Sequence, residues 1–207
     1  MISIMNKKFQ IYFFLEELNT INISILKKLK NVSLIYRNYL KKNYTENAIT
    51  ISNFTKKHKF KLFVANDWKL VKKINANGIY IPNFNKQFFF RNYNLIKHGQ
   101  IIGSAHSIPE IQTKIRQGCS TILLSPIFKT SSHPDKQNLG IVKFSNFCQN
   151  ISKQTKLIAL GGIDETNIKK LFLSNISGIA LKSFLNKPQT SKSLSFLNLI
   201  AGTNLIR

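Results

Sequence analysis

Eight short apolar runs, spaced along the chain with helix-like stretches between them, constrain this sequence more than any other feature. They are QIYFF (10–14), VSLIY (32–36), FKLFV (60–64), GIYI (78–81), GQIIG (99–103), STILL (120–124), KLIAL (156–160) and SGIAL (177–181). β-Branched and aromatic residues fill them, so each reads as a strand. Most lack the polar–apolar alternation of a half-solvated sheet, and near-continuous apolarity fits parallel strands covered on both faces.

Helical patterns lie between the runs. Ser107 and Glu110 have capping-box spacing, Ile108, Ile111 and Ile115 form one face, and Gly118 supplies a stop. Phe144, Phe147, Cys148 and Ile151 recur at helical spacing and predict a helix over 142–151. Asp164 is placed to cap a helix with Ile168, Leu171 and Phe172 inward. Segments 20–30, 44–58 and 68–75 continue the alternation, with 85–98 as the remaining helical candidate. Eight β/α units in 207 residues predict an α/β fold, a (β/α)8 barrel of the TIM type formed by one domain over 1–207, with a doubly wound open sheet as the alternative. Such barrels carry their chemistry at the C-terminal ends of the strands, with a phosphate site in the loops after strands seven and eight.

Composition narrows the functional classes. Hydrophobic residues make up 43% of the chain, enough for a proper core, and no apolar run reaches the length of a membrane span. The N-terminal MISIMNKKFQIYFF lacks the order of a secretory leader, so a soluble, cytoplasmic protein is expected, with no membrane partner. Cys119 and Cys148 sit in apolar patterns without metal-ligand spacing, which predicts buried reduced thiols. Lys and Arg number 31 against 8 Asp and Glu, a net charge of +23. Such a field suits nucleic acid or a phosphorylated small substrate. The lysines fall in separate small groups, such as Lys27, Lys28 and Lys30 or Lys72 and Lys73, which fits solvated helix faces and disfavours nucleic acid. A homo-oligomer is compatible with the sequence, which does not fix the number of copies.

The strand-following loops form one candidate rim. They hold Asn66 and Asp67 after strand three, Ser104 and His106 after strand five, SPIFKTSSHPDKQNLG (125–140) after strand six, Gly161 and Gly162 after strand seven, and Lys182 and Ser183 after strand eight. Two glycines before a helix let backbone N–H groups approach an anion, although the same pair also serves an ordinary turn. Asp67 can hold Mg²⁺ against a diphosphate or simply cap the helix that follows. His106 and His133 can act as acid, base or phosphate contacts, or be ordinary surface residues. Trp68, Tyr80 and Phe88 to Phe90 can stack on an aromatic ligand or fill the core.

Four segments, GSAHS, LLSPIFKTSSHP…LG, LIALGGI and GIALKSF, resemble in order and spacing the segments G-x-S-x-H, G-P-I-F-x-T-x-[ST]-K, A-I-G-G-I and G-x-A-V-x-S of the thiamine phosphate synthase and TenI-like family. ANDW and GIYI stand where that family has N-D-R and G-V-H-L. The resemblance is best over 60–185. It implies a transferase that joins hydroxymethylpyrimidine diphosphate to thiazole phosphate with Mg²⁺, releasing diphosphate. The physical need is positioning and charge neutralisation, because a diphosphate leaves and a cationic pyrimidine develops near the thiazole nitrogen.

The resemblance assigns residues as follows. Arg37, Ser104 and His133 fall on catalytic positions, the last where the family has a lysine. Asn66, His106, Thr130, Ser132, Gly161, Gly162 and Ser183 fall on substrate-binding positions. Asp67 falls on a Mg²⁺ ligand, and Asn85 on the second metal-binding aspartate. The glutamine and lysine of the family's Q-L-R-x-K motif fall on Ile35 and Tyr39, and Pro126 stands where the tautomerase branch has a histidine. The diphosphate half is thus thinner in charged ligands than the thiazole-phosphate half. Two alternatives stay open: a barrel of this family that binds thiamine intermediates without condensing them, and a basic nucleic-acid-binding protein on a reused fold.

Overall fold

The computed structural model describes residues 7–38, 43–88, 99–130, 137–151, 155–174, 176–202 and 204–205. Eight parallel strands close into a barrel: β1 (Gln10–Leu15), β2 (Val32–Tyr36), β3 (Lys61–Ala65), β4 (Gly78–Ile81), β5 (Gln100–Ala105), β6 (Thr121–Leu124), β7 (Lys156–Leu160) and β8 (Gly178–Leu181). Each pairs with its sequence neighbour, and β8 closes on β1, Phe13 lying opposite both Leu34 and Leu181. All eight expected strands are present with boundaries moved by two residues or fewer, and the open-sheet alternative is excluded by closure. Outside the barrel, Lys7–Lys8 pairs antiparallel with Asn204–Leu205.

Side-chain alternation splits the core in two. Tyr12, Phe14, Ile35, Phe63, Ala65, Tyr80, Ile102, Leu123, Ile158 and Ala180 fill the barrel interior. Their neighbours, among them Phe13, Leu34, Val64, Ile79, Ile122, Leu157 and Ile179, meet the surrounding helices. Burial on both faces is why the strands read as unbroken apolar runs.

The described helices are α1 (Thr20–Leu26), α2 (Tyr44–His58), α3 (Trp68–Lys73), α4 (Ile108–Arg116), α5 (Gly140–Asn150), α6 (Ile168–Leu173) and α7 (Ser191–Ile200). The 44–58 expectation matches α2 residue for residue, and α1 stops four residues short of 30. The capping box at α4 is only half made: Ser107 Oγ accepts from the Glu110 N–H, while the Glu110 carboxylate accepts from the His106 N–H instead of reaching back to Ser107. Asp164 does not cap α6. Asn167 holds that position, and the Asp164 carboxylate accepts from the N–H and hydroxyl of Thr166 in the turn before the helix. The proposed helix over 85–98 is not helical across 85–88, and 89–98 lie outside the described residues. Cys119 is buried as expected, whereas Cys148 on α5 is only half-buried, and neither forms a disulfide. The sequence reading missed α7, capped by Thr190 and packed through Leu194, Leu197 and Ile200.

Candidate active site

A cavity of about 660 Å³ opens at the C-terminal ends of the strands. Seven of the expected site residues line it: Arg37, Ser104, His106, Thr130, Gly161, Gly162 and Ser183. Ser132 and His133 lie outside the described residues, while Asn66, Asp67 and Asn85 form a corner beside the cavity rather than in its wall. Arg37, Lys129 and Lys182 are its basic lining residues and Asp164 its acidic one. The Asp164 carboxyl is held below its usual value of 3.8, chiefly by the Thr166 hydroxyl, so the acid is committed to its own turn. The rim field therefore favours anions.

Gly161 and Gly162 make the turn after β7. Their φ angles of 95° and 68° lie in the left-handed region that glycine adopts without a Cβ penalty. The turn is strapped to the loop after β6, because Ile127 N–H donates to Leu160 O and Phe128 N–H to Gly161 O, at 3.0 and 3.1 Å. A Cβ on Gly162 would stand 2.5 Å from Lys129 O and 2.7 Å from Phe128 O. Asn167 Nδ2 donates to Gly162 O at 2.8 Å, fixing the other side. The N–H groups of Gly162 and Ile163 donate to no acceptor among the described residues. Two such groups beside Thr130 and Ser183 can hold an anion.

Across the cavity, Arg37 sits just past β2 with its guanidinium carbon 4.8 Å from the centroid of the Phe14 ring. Tyr80, on the interior of β4, packs edge-on against Phe14 and donates its hydroxyl to Ser104 Oγ at 2.9 Å. Burial pushes the Tyr80 phenol up, with Ser104 and the Arg37 charge opposing, so it stays protonated and donates. Ser104, accepting from Tyr80, keeps its own proton for another acceptor. His106 Nδ1 lies 2.8 Å from Ser125 O and 3.0 Å from Ser125 Oγ. A carbonyl oxygen can only accept, so Nδ1 carries the proton and Nε2 is the atom left for a ligand. The Ser125–Pro126 peptide at the start of this loop is cis.

The corner after β3 is built differently. Asn66 is left-handed, with φ 56°, a region Asn tolerates better than most side chains, and its N–H donates to Tyr80 O at 3.0 Å. Asp67 Oδ1 caps α3 by accepting from the Leu70 N–H at 2.8 Å, which leaves Oδ2 without a hydrogen bond among the described residues. Asn85 Nδ2 donates to Asn66 Oδ1 at 2.8 Å, and its Oδ1 accepts from the Gln87 N–H. No cluster of three or more His, Cys, Asp or Glu side chains exists among the described residues.

The sequence reading put Ser125 and Lys129 on the rim only as part of the 125–140 stretch, missed Phe14 as a cavity residue and took Tyr80 only for stacking or core. The missing signal was strand parity: Phe14, Tyr80 and Ser104 occupy inward positions at strand ends, which places them under the rim. Trp68 packs partly buried on the outer core, and Phe88 is exposed.

A closed parallel (β/α)8 barrel with a cation-lined polar cavity at the strand ends defines the class to which this molecule belongs. The family model described as thiamine monophosphate synthase matches residues 16–185, and the chain belongs to that family. A relative from Aquifex aeolicus, provisionally named thiamine-phosphate synthase 2, is 30% identical over 169 residues, spanning 81% of this chain and 87% of that one. A thiamine-phosphate synthase from Prochlorococcus marinus is 34% identical over 122 residues, which cover 58% of this chain and 34% of that longer protein. Among solved structures, thiamine phosphate pyrophosphorylase from Pyrococcus furiosus superposes with a TM-score of 0.73 over 95% of this chain and 96% of that one, at 17% identity, which supports the fold. The relatives' names favour the transferase expectation over a barrel without catalysis, and no described helix is long and apolar enough to cross a membrane.

Proposed function

We propose that this protein condenses a hydroxymethylpyrimidine diphosphate with a thiazole phosphate, forming a bond from the thiazole nitrogen to the pyrimidine methylene carbon and releasing diphosphate as the C–O bond breaks. The observation that carries this reading is the two-glycine turn, whose Gly162 and Ile163 amides, without an acceptor among the described residues, stand between Thr130 and Ser183 across one cavity from Arg37. In this reading the turn, with the Thr130 and Ser183 hydroxyls, holds the thiazole phosphate. Arg37 neutralises the diphosphate as it leaves, and the Ser104 hydroxyl and His106 Nε2 orient the pyrimidine. Ser132 and His133 are assigned by family position to the same lip. No proton transfer is required, so positioning and charge supply the rate.

The residues present fit Mg²⁺ in a restricted way. Mg²⁺ keeps several waters and takes one or two carboxylates plus substrate phosphates. Asp67 offers Oδ2, while Asn85 is neutral and its oxygen already accepts from Gln87. That set suits a metal arriving with the diphosphate rather than one held by protein alone, with Asp67 as the charged ligand and Asn85 aligning the corner. Bound there, Mg²⁺ would offset charge on the departing diphosphate.

The test is to incubate the protein with both substrates and Mg²⁺ and follow diphosphate release. Release that requires both substrates supports the proposal. Thiazole phosphate binding without turnover refutes it. The setting that goes with this function, a cytoplasmic protein formed by one domain, is part of the same proposal.

A further inference from the structure

We propose that Lys114 on α4 and Gln117 at its C-cap clamp the loop after β4 and thereby set the Asn66–Asp67–Asn85 corner, making them positioning residues for the diphosphate. This rests on the function proposed above. Lys114 is fully buried, at 0% exposure, and so is Gln117. Lys114 Nζ donates to Pro82 O at 2.7 Å, Asn85 O at 2.9 Å and Gln117 Oε1 at 2.9 Å. Gln117 Nε2 donates to Asn85 O at 3.0 Å and Gln87 O at 2.7 Å. An ammonium has three protons and an amide nitrogen two, so every donor of the pair is used. Four of these five bonds end on main-chain carbonyls of residues 82–87.

The contacts suit a device for geometry more than one for cohesion. Lys114 has no carboxylate partner among the described residues; the nearby Glu110 pairs with Lys86 at 3.7 Å. A buried ammonium is expensive unless its hydrogen bonds are complete, and here they are. Beyond Pro82 the loop leaves Phe84 and Phe88 63% and 47% exposed. The polar bonds that hold its main-chain carbonyls come from Lys114 and Gln117. The strand beneath is cut to fit: a Cβ at Gly103 would stand 2.9 Å from Lys114 Cδ. With the Asn85 carbonyl held from below, its side chain is presented to Asn66 Oδ1, and Asn66 leads directly into Asp67. The clamp touches neither cavity nor substrate, so its role is exerted through Asn85.

Lys114→Met keeps the stem and removes three donors. Isothermal titration with inorganic diphosphate plus Mg²⁺ should lose about tenfold or more in affinity, as outer partners of ligating groups do. Titration with thiazole phosphate should stay within about twofold of wild type, because the glycine turn is built independently. Amide exchange at 66–67 and 82–88 should quicken by about tenfold. A folded variant with unchanged diphosphate affinity overturns the proposal, whether or not exchange quickens. Equal loss of both affinities overturns it too, since that marks a general structural role. If the wild-type protein binds no diphosphate, the functional reading fails by itself, and exchange then decides whether the clamp exists: unchanged exchange removes it. Gln117→Leu, which retains Lys114, carries the same measurements should Lys114→Met fail to fold.

Discussion

Replacing Gly162 with alanine separates a tight turn that any small residue could make from one that requires glycine. The backbone φ of 68° alone costs an L-residue about 1–2 kcal/mol. The added methyl would lie 2.5 and 2.7 Å from two carbonyl oxygens, short of ordinary contact by roughly 0.9 and 0.7 Å. Those oxygens belong to the main chain at Lys129 and Phe128, so no side-chain rotation relieves the overlap, and overpacking of this kind adds about 1–3 kcal/mol. The combined loss of about 2–5 kcal/mol should lower Tm by at least about 4 °C in a domain of this size. Gly140 supplies the control: its φ is 72°, but a Cβ there meets nothing within 4 Å, so Gly140→Ala isolates the backbone part. Thermal melts of both variants should place Gly162→Ala well below Gly140→Ala. Titration with thiazole phosphate should show binding lost in Gly162→Ala and kept in Gly140→Ala, because only the first displaces the loop after β6 from the turn. Equal melting temperatures would refute the close-approach argument, and unchanged phosphate affinity in Gly162→Ala would refute the turn as the phosphate site.

Asp67→Asn preserves a helix cap while removing charge, so Tm should move little, whereas Mg²⁺-dependent diphosphate affinity should fall; equal affinity would leave Asp67 as a cap alone. Phe63→Ala in the barrel interior, where the ring is fully buried, should destabilise by about 3–5 kcal/mol in denaturant melts. Thr166→Val should raise the Asp164 carboxyl toward its ordinary value, read by carboxyl NMR titration. Because the folded value is the depressed one, this carboxylate's stabilising contribution is present above pH 3.8 and is lost as pH falls through the folded value, and the valine variant should show less of that acid dependence.

The barrel was legible because each strand is buried on both faces, which turns burial directly into apolar runs. The helices were less so where short polar side chains decide. The sequence marks Asp164 as the cap of α6, but its carboxylate is taken by the N–H and hydroxyl of Thr166, and Asn167 stands at the N-cap position without a side-chain cap bond. Glu110 likewise turns to His106 N–H because the loop after β5 brings that donor within 2.6 Å, closer than any sequence rule for a capping box anticipates. Helix α7 escaped because its strongest markers, Thr190 and a run of Ser, Leu and Phe, lack a charged pattern to set its period apart from a loop.

The two halves of the proposed site, one for the thiazole phosphate and one for the diphosphate, differ in what holds them, and that difference sets which of them leaves a local mark in the sequence. The phosphate half consists of main-chain conformation: Gly161 and Gly162 keep their positive φ and their close approach to residues 128–129 whatever side chains surround them, so the glycines mark the place in the sequence. The diphosphate half consists of side chains arranged in relay, from Lys114 and Gln117 through the Asn85 main chain to Asn66 and Asp67. A relay has no fixed local spacing, because its members lie in the loops after β3 and β4 and at the C-terminal end of α4, up to 51 positions apart, from Asn66 to Gln117. Asn85 read from sequence alone looked like a weakened metal ligand. In the folded chain it is the link between a buried cation and the corner that Asp67 occupies, where an amide, with both a donor for Asn66 and an acceptor for Gln87, does what a carboxylate could not.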